Sequence, residues 1–168
     1  WLSTAGQAAW SLGTLPEEGN AITAEQHGEA SGIKNKLLSM TEFQDGTICF
    51  VEDGGGLPTI KDGRTADLAL PGALGLFNPT SVFQDSHGSI WVGTQGGGAF
   101  RVEPKTNRFD RFDIGNGMNS NTVICFGEDG VGNVWIGTID GGASVVSNSG
   151  VRTYGLNNGL HGRFVRCV

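Results

Sequence analysis

Trp91-Val92-Gly93-Thr94 returns 44 residues later as Trp135-Ile136-Gly137-Thr138, and each copy runs on through glycines into an alanine. Recurrence at a period of this length marks a fold built from one supersecondary unit, because a single such unit cannot bury its apolar face alone. A second marker keeps the step: Gly32-Ile33, Gly75-Leu76, Gly117-Met118 and Gly159-Leu160 follow one another at 43, 42 and 42 residues. Four copies result. The segment from Trp1 to Trp10 aligns without a gap on Trp91 to Phe100, and Ile48-Cys49-Phe50-Val51 is a degenerate copy with Cys49 in the tryptophan place. The chain therefore opens at a Trp strand and ends on Val165-Arg166-Cys167-Val168, which matches Val123-Ile124-Cys125-Phe126.

The best-formed unit, from Thr122 to Asn158, consists of short apolar-alternating runs separated by Gly, Asn and Asp, which is the pattern of strands and hairpins. Strands are predicted at Thr122–Phe126, Val134–Thr138, Ala143–Val146 and Val151–Tyr154. Turns fall at Asp129–Asn133, Asp140–Gly142 and Asn148–Gly150, where the Asp side chain can bond forward to backbone amides. Four strands in a little over forty residues make one propeller blade. The expectation is an all-β propeller of four-stranded antiparallel blades, one domain over residues 1–168, with about four repeats forming a segment of a larger ring. Closure of the four on themselves is the other arrangement. The Arg163 to Val168 stretch is expected as the innermost strand of a blade whose outer strands start at Trp1. Residues from Pro16 to Lys36 are expected as an enlarged connection, with only a faint helical period from Thr23.

Composition agrees with this class. Glycine supplies 29 of 168 residues, apolar residues are 38% and spread periodically, and charge is low, so a turn-rich β protein fits better than disorder. A net charge of −6 argues against a nucleic-acid partner. No apolar run approaches the ~20 residues of a membrane helix. None of the three cysteines has metal-ligand spacing, and Cys125 and Cys167, equivalent in successive repeats, read as buried thiols. No cofactor and no metal site is expected. Gly54-Gly55-Gly56 and Gly96-Gly97-Gly98 lack the Lys-Ser/Thr of a phosphate loop, and Asp113 to Asn121 lacks the closing Glu of a calcium loop. His27, His87 and His161 fall at unrelated repeat places, and no nucleophile or paired-carboxylate set can be argued from spacing, so no catalytic residue is assigned.

The stretch Asp85-Ser86-His87-Gly88-Ser89-Ile90-Trp91-Val92-Gly93-Thr94-Gln95-Gly96-Gly97-Gly98, with its second copy Glu128 to Thr138, resembles the two-component regulator propeller repeat. That resemblance implies the periplasmic sensor region of hybrid sensor kinases or some diguanylate cyclases, built as seven-bladed rings whose ligand in several members is an oligosaccharide, often acidic. Four repeats, Cys49 in a tryptophan place and the lack of an output domain depart from the family pattern. In this reading Trp1, Trp91 and Trp135 are inter-blade core. The inter-blade connections converge near the ring axis and are the expected ligand surface. They carry Lys34, Asn35, Asn121, His161, Arg163 and Arg166, cationic and amide groups suited to a carboxylated or sulfated sugar. The expected partner is thus a small polar ligand. A structural module whose strand edges pair with missing blades or a second copy is the rival, and a propeller lyase ranks behind both.

Overall fold

The structure, a computed structural model, describes residues 33–69, 72, 74–106 and 108–166, and ahead of them the backbone of three short strands. Those strands, β1 (Leu2–Ser3), β2 (Ala9–Leu12) and β3 (Ala24–His27), form one antiparallel sheet in the order β1-β2-β3. Three four-stranded antiparallel meanders follow. The second blade holds β4 (Leu37–Glu42), β5 (Ile48–Glu52), β6 (Pro58–Lys61) and β7 (Arg64–Asp67). The third holds β8 (Asn78–Gln84), β9 (Ile90–Gln95), β10 (Ala99–Glu103) and β11 (Arg108–Phe112). The fourth holds β12 (Val123–Glu128), β13 (Val134–Thr138), β14 (Ala143–Ser147) and β15 (Gly150–Tyr154).

Two expectations need correction. β3 lies inside the stretch read as a connection. Ala24-Glu25-Gln26-His27 shows no apolar alternation, and its ladder to β2 is made by backbone groups that every residue type carries. The strand expected over Arg163 to Val168 is not formed in its described part, residues 163–166. Gly142 donates to the Arg163 carbonyl (2.8 Å) and the Val165 amide to that of Thr138 (3.1 Å), so this segment is tied to the fourth blade's turn and strand end rather than to a ladder. Trp1 and Cys167 lie outside the described residues.

The innermost strands β4, β8 and β12 run side by side. Each carries a bulge at the same place, between Leu37 and Ser39, Pro79 and Ser81, and Val123 and Cys125. The extra residue bends the strand and raises its twist, which suits a strand lining an axis. Across one junction Thr80 Oγ1 donates to the Val123 carbonyl at 2.6 Å. Gly93 permits this close approach: a Cβ there would stand 2.4 Å from Ser81 Oγ and 2.6 Å from Val123 Cγ1.

Apolar faces meet between blades. Cys49, Val51, Leu57 and Phe43 of the second blade pack on Val82, Ile90, Val92 and Phe100 of the third. On the third blade's other face Trp91 and Ala99 pack on Val123, Val134, Ile136 and Val146 of the fourth. Trp91 is 1% exposed, lies on Phe112 at 5.3 Å, and has the Arg101 guanidinium 5.7 Å above its ring. It is inter-blade core, as expected. Trp135 is only half-buried, stacked on Tyr154 at 5.5 Å. Cys49 is fully buried and its thiol is pushed up to about 12 by that burial, whereas Cys125 is only half-buried, its Sγ 3.5 Å from the Val165 carbonyl.

The repeat's Asp joins its turn to its tryptophan. Asp85 accepts from the amides of His87 (3.1 Å) and Ser89 (2.9 Å) and from Trp91 Nε1 (2.8 Å). Asp129 does the same for Val131 (3.1 Å), Asn133 (2.9 Å) and Trp135 Nε1 (3.1 Å), and accepts the Asn133 side-chain amide at 2.9 Å. In the second blade both partners are exchanged together: Phe43 stands in the Asp place and Cys49 in the Trp place. With no indole N–H at Cys49, the bond that joins turn to tryptophan is absent from that blade.

Bonds from Asn133, side chain first, and then from Trp135 and Val131 draw the Asp129 carboxyl down to about 2. A folded value below the unfolded one, about 3.9, adds stability above pH 4 that is lost as pH falls towards 2. Carboxyl-carbon NMR titration should place Asp129 below ordinary aspartates, and thermal melts should show Asp129→Asn narrowing the gap between pH 5 and pH 2.5. An ordinary titration of Asp129 would contradict the capping role.

Candidate functional site

In each four-stranded meander the β4–β5, β8–β9 and β12–β13 turns lie at one end, and the inter-blade connections lie at the other with the glycine turns. The connections after the third and fourth blades begin with one-turn 3-10 helices, Ile114–Asn116 and Leu156–Asn158, each closed by a left-handed glycine, Gly117 (φ 111°) and Gly159 (φ 92°). The chain then turns towards the axis.

All six residues expected at the ligand surface lie at this end, but most are tied to the scaffold first. The Asn121 carbonyl accepts from Gly96 (3.0 Å) and Gly98 (2.8 Å), and its side-chain Oδ1 accepts from Ile114 (2.9 Å). The Arg163 carbonyl fills the same role for Gly142, which leaves its exposed side chain to solvent. Lys34 and Asn35 donate their amides to Glu52, Asn35 at 3.1 Å, and Asn35 Nδ2 reaches the same carboxylate at 3.4 Å. Glu52 is 4% exposed and stands where Thr94 and Thr138 cap their glycine turns in the next two blades. His161 is exposed, and Arg166 is exposed with its guanidinium 5.4 Å from the Phe164 ring.

Arg163 lines a cavity of about 280 Å³ with Asn119, Asp140, Gly141, Gly155 and Leu156 to Asn158. The other five expected residues are not in its wall. The sequence places Asp140 in a turn only and gives Asn157 and Asn158 no site role, although Leu156-Asn157-Asn158-Gly159 repeats the plan of Ile114-Gly115-Asn116-Gly117 and marks a recurring surface. Chemically the cavity offers one guanidinium, one carboxylate and several amides. An anionic group would meet Arg163, while hydroxyls would donate to Asp140 and accept from asparagine amides. His87, in the β8–β9 turn, is at the opposite end from His161. Among the described residues no three His, Cys, Asp or Glu side chains are grouped as for a metal ion.

Residues 77–96 and 117–140 match the model of the two component regulator propeller. Over these two segments the chain is similar to the two component regulator propeller repeat. Both matches begin at the connection and run through an innermost strand, its Asp turn and the Trp strand, which is the part whose bonds are described above. No curated protein sequence matches the chain. Among solved structures, the extracellular domain of a protein described as a hybrid two component system of B. thetaiotaomicron aligns with TM-score 0.66 at 17% identity, over 83% of this chain and 21% of that one. A second domain so described, from the same organism, aligns with TM-score 0.58 at 24% identity, over 77% of this chain and 20% of that one. A catalytically inactive virginiamycin B lyase from Staphylococcus aureus with quinupristin aligns with TM-score 0.60 at 16% identity, over 79% and 45%. The chain thus spans about a fifth of the length of the two extracellular domains and under half of the lyase. At these identities the likeness is one of fold, and the fold is a β-propeller segment.

Proposed function

We propose that these repeats form the ligand-sensing part of an extracytoplasmic, periplasmic receptor of the two-component kind, and that the ligand is a small acidic sugar held at the connection end. The observation that carries this reading is the cavity that Arg163 lines together with Asp140, Asn119, Asn157 and Asn158. A uronic acid presents the complementary set, one carboxylate amid hydroxyls. The repeat matches and the extracellular neighbours support the location. We propose no catalysis, since His87 and His161 stand at opposite ends of the blades.

Calorimetric titration of the full chain with digalacturonic acid and with its neutral disaccharide counterpart tests this. The acid should bind, and Arg163→Gln should weaken it about tenfold, or about 1.4 kcal/mol, without affecting the neutral sugar. The backbone bond to Gly142 survives this substitution, so folding is untouched. Equal binding of both sugars, or none of either, overturns the proposal.

A second reading has its own observation. The far face of the fourth blade carries the half-buried Trp135 and Tyr154, stacked at 5.5 Å, in the places that Trp91 and Phe112 fill in the third blade with a neighbouring blade on them. Ile139 and, in the segment that follows, Phe164 are exposed at 47% and 50%. A structural module that packs on further β-sheet would use this face, and concentration-dependent association in sedimentation would favour it.

A further inference from the structure

Asp45, Asp85, Asp113 and Asp129 each accept from the amide two residues on, that of Thr47 at 3.0 Å, His87 at 3.1 Å, Gly115 at 2.8 Å and Val131 at 3.1 Å. Such a bond is the ordinary reason for an aspartate in a turn. Asp140 differs. The amide two residues on, that of Gly142, donates to the Arg163 carbonyl at 2.8 Å, and the Gly141 amide donates to Thr138 Oγ1 at 3.0 Å. With both forward amides taken, the Asp140 carboxylate has no hydrogen-bond or ion-pair partner among the described residues.

Comparison of the third and fourth blades shows two exchanges at one place. Thr94 and Thr138 bond the carbonyls of Gly98 and Gly142 in the same way, by amide and by hydroxyl, so Asp140 stands where Gly96 stands one repeat earlier. Gly98 and Gly142 in turn donate to the carbonyls of Asn121 and Arg163, both at 2.8 Å, so Arg163 stands where Asn121 stands. The third blade has a glycine and an amide at these places, and the fourth has a carboxylate and a guanidinium. Asn121 spends its side chain on the scaffold, Oδ1 accepting from Ile114 at 2.9 Å. The Arg163 side chain makes no such bond among the described residues. Both charged residues are exposed, and both line the cavity of about 280 Å³.

Asp140 and Arg163 are not paired with each other, unlike Arg101 with Asp110 or Arg111 with Asp113. One cavity wall thus carries two opposite charges that the fold does not use. A ligand with a carboxylate alone satisfies Arg163 and is repelled by Asp140. A ligand with a carboxylate and an ammonium satisfies both, each through charge-assisted hydrogen bonds, which are roughly twice as strong as neutral ones. Asn119, Asn157 and Asn158, on the same wall, suit hydroxyls between the two charges.

We infer that Asp140 determines specificity at this site, and that the ligand is an amino-substituted sugar acid, carrying a protonated amine as well as a carboxylate. The inference rests on the acidic-sugar reading above and narrows it: Arg163 takes the carboxylate and Asp140 takes the ammonium. Folding does not depend on the Asp140 charge, since Thr138 and Arg163 hold the amides of its turn.

Calorimetric titration of the full chain at about pH 6, where an amine is protonated and a carboxyl ionised, compares galacturonic acid, 2-amino-2-deoxygalacturonic acid and the N-acetyl form of the latter. The amino form should bind about fivefold tighter than galacturonic acid, the scale of an exposed ion pair. N-acetylation removes the positive charge and keeps the carboxylate, so it should abolish the gain. Asp140→Asn should abolish it as well, without weakening galacturonic acid and without changing Tm, because no bond within the protein is lost. Arg163→Gln should weaken all of these ligands. Binding of the acids with equal affinity for the amino and N-acetyl forms overturns the inference and leaves the acidic-sugar reading standing, whereas binding of none of them overturns both. A preference for the amino form that survives Asp140→Asn overturns the role of Asp140.

Discussion

Trp91→Ala is expected to lower the unfolding free energy by about 4 kcal/mol, the range for truncating a large buried aromatic. Three losses coincide. The indole is 1% exposed and lies between the third and fourth blades, so its removal leaves a cavity beside Phe112 and Phe126 that those rings cannot fill without leaving their own partners. Asp85, buried at 5%, loses the Trp91 Nε1 donor, and a buried carboxylate deprived of a partner is costly. Arg101 loses the ring beneath it, though it keeps Asp110. Trp135→Ala removes the same bond from Asp129, but from a half-buried ring, and should cost about half as much. Urea unfolding of both variants, followed by the fluorescence of the remaining tryptophans, decides this. Equal losses would mean that Trp91 is not held between blades as described.

Gly98→Ala is expected to cost about 3 kcal/mol, while Gly96→Ala, two residues away, costs about 1 kcal/mol. Both glycines have φ of +86°, so both substitutions carry the left-handed penalty. They differ in what the new methyl meets. At Gly98 a Cβ would fall 2.1 Å from the Phe112 carbonyl oxygen, which belongs to the β10–β11 ladder and cannot retreat without breaking it. At Gly96 nothing lies within 4 Å. Gly142 repeats the tight place in the fourth blade, 2.2 Å from the Tyr154 carbonyl, so Gly142→Ala should match Gly98→Ala. Thermal melts of the three variants provide the comparison, and equal Tm values for the Gly96 and Gly98 variants would rule out the contact.

The glycines and the Asp turns also show how the repeat closes on its neighbours. Glu128 accepts from the amide and hydroxyl of Ser86 at 2.8 and 2.7 Å, and Gln84 Oε1 accepts from the amide of Gln44 at 2.6 Å. The ends of β8 and β12 thus each hold the turn of the preceding blade. Glu128→Ala should therefore loosen the β8–β9 turn more than its own, which amide hydrogen exchange at Ser86 and His87 can read.

Much of this was legible from residue order alone. Strand and turn places depend on local rules, alternation of side chains along a strand and glycine where φ turns positive, so the four-stranded unit from Thr122 to Tyr154 and its Asp and Gly turns could be read directly. The period added the number of units and identified Trp91 as core. β3 escaped because its polar residues have no alternation, and residues 163–166 were over-read because a matching sequence does not supply the partner strand that a ladder needs.

Distance in space accounts for the rest. Nothing local says that Asp85 reaches the indole six residues on, although the joint exchange of Asp for Phe43 and Trp for Cys49 carried that signal. The wall that joins Arg163 to Asp140 and Asn158 comes from two separate turns brought to one end of the blade. Between the second and third blades a cavity borders Thr59, which stands where Arg101 does in the next blade. Sequence by itself determined the repeating unit, its strands and its turns, because these follow from neighbours along the chain; only the tertiary structure decided the cavities, because a cavity is set by what the packing of two sheets leaves unfilled.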